Sequence, residues 1–137
     1  HKLVYEVRLP GLSSAGASLT KEIAGYDFSS LSLIEGFKSH VKSFPDKVAV
    51  IYRDRYLTFR ELDRKSDELA GYLKESGLHK GDIVGIFLRR SDLVITSILA
   101  VTKAGGCYLP IDPDYPNERI TFILSDACPK IVITHST

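Results

Sequence analysis

Residues 83–111 read IVGIFLRRSDLVITSILAVTKAGGCYLPI, and this stretch decides the fold class. Ile83 to Leu88 is almost wholly apolar, the composition of a parallel strand buried on both faces. Ser91 is placed to cap a helix over Asp92–Ala104, whose Leu93, Ile95, Ile98, Leu99 and Val101 are apolar on most sides. Gly105 or Gly106 ends that helix, and Cys107 to Ile111 follows as a second strand, expected to be buried. A strand, a helix of more than ten residues and a strand predict a right-handed crossover between parallel neighbours.

Working outward, the same alternation continues in both directions. Asn117–Ala127 reads as a helix, and Pro129 leads into the strand Ile131–Ile133. Upstream, Thr58 and Glu61 form a capping-box pair before a helix that buries Leu62, Leu69, Ala70 and Leu73 and closes at Gly77. Val48–Tyr52 and Tyr56–Phe59 flank the polar turn Arg53-Asp54-Arg55 and predict a hairpin. Before them, Leu33, Ile34, Phe37, Val41 and Phe44 share one helical face, with Ser32 and Glu35 as a second capping box and Pro45 as the stop. Leu3–Leu9 has the pattern of a short strand stopped by Pro10-Gly11. The expected class is α/β: a mainly parallel sheet with helices on both faces.

Eighteen basic and seventeen acidic residues leave a net charge of +1, so no basic footprint points to nucleic acid or an anionic membrane. No apolar run is long enough for a membrane-spanning helix, and no basic-then-apolar leader opens the chain; a cytoplasmic location is the expectation. Cys107 and Cys128 match no metal spacing, and two small buried hydrophobes are favoured over a disulfide. The absence of Met at position 1 and the strand-like run just before Thr137 suggest a piece of a longer protein.

Candidate chemistry is sparse. Gly105-Gly106 sits at a helix C-terminus, the wrong electrical end for a phosphate, and neither phosphate-loop nor dinucleotide glycine pattern occurs. Helix termination and close strand packing are the favoured roles. Asp112 and Asp114 in the DPDYP run would lie at the carboxyl edge of the sheet, where metal or ribose binding is conceivable. Without a third ligand, a loop stiffened by Pro113 and Pro116 with Asp114 capping a turn is favoured. Arg89-Arg90 could meet a phosphate but reads better as a solvated pair, and His40, His79 and His135 are scattered over separate elements. No catalytic, cofactor-binding or metal-binding residue is nominated.

Resemblance adds what periodicity cannot. YLTFREL at Tyr56–Leu62, then ELAGYL, GDIVGIFLRRSD and SILAVTKAGGCYLPIDPDYPNERITFILSDACPKIVIT, resemble the opening of an amino-acid adenylation domain of a nonribosomal peptide synthetase. That family belongs to the AMP-forming synthetases, with acyl-CoA synthetases and luciferases. Its first core motif, T-[FY]-x-E-L, is carried by Thr58, Glu61 and Leu62. A close form of the second lies at Leu99–Asp112, with Lys103, Ala104, Gly105, Tyr108, Pro110 and Asp112 on core positions. Cys107 stands where alanine is commoner, a small-for-small change. The resemblance runs from Leu31 to Thr134, roughly three quarters of the chain, and these motif residues are expected to be structural.

The resemblance implies a parent enzyme that uses ATP and Mg to convert an amino acid to an aminoacyl-adenylate. The acyl group would then pass to phosphopantetheine on a carrier domain. The later motifs of the family, which do that chemistry, are not in this sequence, so the 137 residues alone are expected to be inactive. Residues 1–30 would then be a linker from an upstream condensation domain, and 31–137 the N-terminal, incomplete portion of the adenylation domain. The alternatives are a free-standing α/β docking or ligand-binding module, or a fragment of an acyl-CoA synthetase.

Overall fold

The computed structural model describes residues 32–135. Leu3–Leu9 and the proposed linker 1–30 lie outside the described residues. The elements run α1 (Leu33–Ser43), β1 (Val48–Tyr52), β2 (Arg55–Thr58), α2 (Phe59–Glu75), β3 (Ile83–Phe87), α3 (Asp92–Lys103), β4 (Cys107–Pro110), α4 (Asn117–Ala127) and β5 (Ile131–Thr134). The class is α/β, and the chain divides into two units, His1–Asp63 and Arg64–Thr137, with the division inside α2.

In the first unit, α1 begins at a complete capping box. The Ser32 hydroxyl accepts from the Glu35 amide at 3.3 Å, and the Glu35 carboxylate accepts from the Ser32 amide at 2.9 Å. Those bonds, the backbone one foremost, hold the Glu35 carboxyl below its usual range. β1 and β2 pair antiparallel, with the register shifting between Val48 and Val50 so that Ala49 and Val50 are both buried. Phe59, expected at the end of β2, is instead the first residue of α2 and is buried. Its ring lies 5.6 Å from the His40 imidazole in a stacked arrangement and 6.2 Å from Phe37. Burial of that ring outweighs the strand pattern of its neighbours.

In the second unit, β4-β3-β5 form a three-stranded parallel sheet with β3 in the centre. The β3–β4 and β4–β5 crossovers run to opposite sides of β3, and right-handedness therefore places α3 and α4 on opposite faces. Val84 and Ile86 on β3 are 0% and 2% exposed. The core joins Ala70, Leu73, Leu78, Val84, Ala100 and Val101, with Ile131 and Ile133 packed against it. β4 departs from expectation. Cys107, Tyr108 and Pro110 are exposed, because among the described residues β4 is an edge strand and only β3 is flanked on both sides. Both cysteines are free thiols, and both are exposed where burial was expected. Cys107 opens the edge strand, and Cys128 is the left-handed cap of α4 at φ 44°.

Two helix ends share one backbone solution. At α2, the amides of Gly77 and Leu78 reach back to the carbonyls of Lys74 and Leu73, each at 3.0 Å, with Gly77 at φ 90°. At α3, the amides of Gly105 and Gly106 reach the carbonyls of Thr102 at 3.1 Å and Val101 at 2.9 Å, with Gly105 at φ 85°. Left-handed backbone favours glycine at Gly77 and Gly105. Gly106 is glycine for a different reason. A Cβ there would stand 3.1 Å from the Asp82 carbonyl oxygen and from Val101, and 3.2 Å from Leu78.

The two glycines should therefore respond differently to substitution in urea denaturation. At Gly105, Asn should be tolerated better than Val, and Gly105→Ala should cost about 1–2 kcal/mol for the left-handed backbone. At Gly106, size alone should rank the variants, with Gly106→Ala costing about 1–3 kcal/mol from overpacking. Equal losses for Gly105→Asn and Gly105→Val would contradict the backbone argument.

Candidate functional site

The carboxyl ends of β3 and β4 form the crevice where an open parallel sheet ordinarily takes a ligand. Their outgoing loops leave toward opposite faces, which opens a gap between them. The loop after β3 supplies Arg89, Arg90 and Ser91; the loop after β4 supplies Asp112 through Pro116. Ile111 anchors the second loop: its amide donates to the Ile86 carbonyl at 2.9 Å, and its side chain is 2% exposed.

The polar groups in this crevice are occupied with each other. Asp112 Oδ1 accepts from the Asp114 amide at 3.0 Å, and the Asp112 carbonyl accepts from the Tyr115 amide at 3.1 Å. The turn-capping carboxylate is thus that of Asp112, not Asp114 as the sequence suggested. A side chain two residues ahead of an amide reaches it; one on the same residue does not. Asp114 instead pairs with Arg89 at 3.3 Å, both side chains largely exposed. The Arg119 guanidinium lies 4.9 Å from the centre of the Tyr115 ring. Ser91 occupies the N-cap position of α3 but makes no side-chain cap, since its hydroxyl donates to the Arg89 carbonyl at 3.2 Å.

At the amino ends of the strands a second cluster forms. Asp82 Oδ2 accepts from the His79 amide at 2.7 Å and from Lys130 Nζ at 2.9 Å. Lys130 Nζ also lies 2.9 Å from His79 Nδ1, so that nitrogen is the acceptor, because an ammonium only donates. The Lys130 bond, and after it the His79 amide, hold the Asp82 carboxyl below its ordinary range. The backbone joins the same place: Gly81 donates to the Gly105 carbonyl at 2.9 Å, and Cys107 donates to the Asp82 carbonyl at 2.8 Å. The cluster ties the loops ahead of all three parallel strands. Sequence reasoning missed it, since nothing local relates Lys130 to His79 and Asp82.

Lys103 is the third polar feature. Its side chain is 6% exposed, and Nζ donates to the buried Ser66 hydroxyl at 2.9 Å and to Asp67 Oδ1 at 2.7 Å. The ammonium thereby fastens the last turn of α3 to the middle of α2. Among the described residues no group of three or more His, Cys, Asp and Glu is placed to hold a metal.

The profile of AMP-binding enzymes matches residues 37–137. The chain belongs to that family. Tyrocidine synthase 1 of Brevibacillus parabrevis is 42% identical over 106 residues, which cover 77% of this chain and 10% of that protein. The N-terminal subdomain of Klebsiella oxytoca NpsA, solved with 3-hydroxyanthranilyl-AMSN, aligns at TM-score 0.72 and 33% identity, covering 77% of this chain and 27% of that one. NpsA-ThdA, an artificially fused adenylation–PCP di-domain from Klebsiella oxytoca, aligns at 0.69 and 35%, covering 74% and 19%. The chain thus matches the N-terminal part of peptide-synthetase adenylation domains and spans about a tenth of tyrocidine synthase 1.

The residues that the sequence resemblance singles out fall into separate places. Thr58 and Glu61 meet at the start of α2: the Glu61 amide donates to Thr58 Oγ1 at 3.2 Å, and the Thr58 amide donates to Glu61 Oε2 at 2.8 Å. Leu62, one residue on, is buried. Lys103, Ala104 and Gly105 form the end of α3, Tyr108 and Pro110 lie on the edge strand β4, and Asp112 caps the turn beyond it. No helix among the described residues is long and apolar enough to cross a membrane.

Two stability predictions follow from these contacts. Lys103→Ala should cost about 2 kcal/mol in urea denaturation, the range for a hydrogen-bonded charge. Asp67→Ala should cost under about 1 kcal/mol, because Asp67 is 62% exposed and its pair is screened by water. Equal losses at both positions would mean that the buried Ser66 contact contributes nothing.

The Asp82 carboxyl, lowered in the fold, stabilises the chain fully above its unfolded value of about 3.9. That contribution disappears as pH falls through the lower folded value. Asp82→Asn should therefore flatten the loss of stability on acidification below about pH 4. An unchanged acid slope in the variant, read by denaturation at a series of pH values, would remove Asp82 from the account.

Proposed function

We propose that this chain is the opening portion of an amino-acid adenylation domain in a nonribosomal peptide synthetase. The observation that carries the reading is the family match over 37–137; the resemblance of Thr58, Glu61 and Leu62 and of the Leu99–Asp112 segment to the family's core motifs supports it. In the parent, the amino acid carboxylate attacks the α-phosphorus of ATP. A carboxyl–phosphate bond forms, the α–β phosphoanhydride breaks, and pyrophosphate leaves. The phosphopantetheine thiol of a carrier domain then attacks the acyl carbon and releases AMP. An acyl-AMSN ligand in the related NpsA subdomain and the PCP partner in NpsA-ThdA support the two half-reactions.

Within this reading, residues 1–30 link to an upstream condensation domain, residues 31–137 are scaffold, and the parent works in the cytoplasm. ATP and Mg are held by groups other than residues 32–135, and this piece alone activates nothing. The motif residues act through structure: Thr58 and Glu61 start α2, Lys103 fixes α3 against it, and Gly105 to Asp112 turn the chain through β4.

ATP–pyrophosphate exchange tests this directly. A protein carrying this sequence at the head of a full-length adenylation domain should exchange pyrophosphate in the presence of one amino acid or a few. The 137-residue polypeptide should give only the blank rate. Exchange that depends on a fatty acid, or exchange by the short polypeptide itself, would overturn the reading.

A further inference from the structure

We draw no further inference here: the strongest candidate, the exposed apolar positions Tyr108 and Val132 on the two edge strands of the parallel sheet, carries nothing because nothing in the structure shows what covers them.

Discussion

The backbone reversal at Gly105-Gly106 is the constraint on which the second unit depends. A helix packed across a sheet must stop abruptly if the next strand is to pair with the one before it. At this reversal the chain leaves α3 through a left-handed residue and satisfies two helix carbonyls from Thr102 and Val101. It then passes so close to Asp82 that the Cys107 amide bonds its carbonyl at 2.8 Å. That bond sets the register of β4 beside β3, beginning at Ile83 opposite Cys107. A side chain at Gly106 would press on the Asp82 carbonyl, Val101 and Leu78, whereas at Gly105 it is the left-handed backbone that disfavours one.

The polar contacts reinforce the same geometry from outside. Lys103 secures the final turn of α3 against α2, so the helix cannot rotate about its axis without exposing or orphaning its ammonium. The Asp82, His79 and Lys130 cluster draws the start of β5 toward the loop ahead of β3. The Lys130 amide adds a backbone bond to the Ile83 carbonyl at 2.8 Å. Most charged groups that sequence would nominate for chemistry are employed in this way. Asp112 holds a turn and Asp114 pairs with Arg89, and neither carboxylate is presented to a ligand by these contacts.

Backbone conformation and burial explain the residue types at the end of α3. Positions such as Gly105 and Lys103 are constrained by backbone conformation and burial, requirements that few residue types meet. The chain covers 10% of tyrocidine synthase 1 and 27% of the NpsA subdomain chain.

Local chemistry determined what the sequence by itself could tell. Apolar periodicity, the capping pairs at Ser32 and Glu35 and at Thr58 and Glu61, and the glycines closing α2 and α3 all act within a few residues, and the helices and strands were legible from them. Val48–Tyr52 and Asn117–Ala127 needed no adjustment, and the other elements shifted by no more than two residues at either end. Tertiary structure alone decided which strand was central. An apolar strand segment looks the same whether one or two neighbours flank it, so Cys107 and Tyr108 were read as buried although they lie on an edge. It also decided the partners of Lys103, Asp82 and Lys130, up to 51 residues apart in the chain, because long-range polar contacts leave no periodic trace. Asp112 and Ser91 show the finest grain of this division. Each residue type favours a cap or a turn, but the backbone direction at its own position selects which amide or carbonyl its side chain meets.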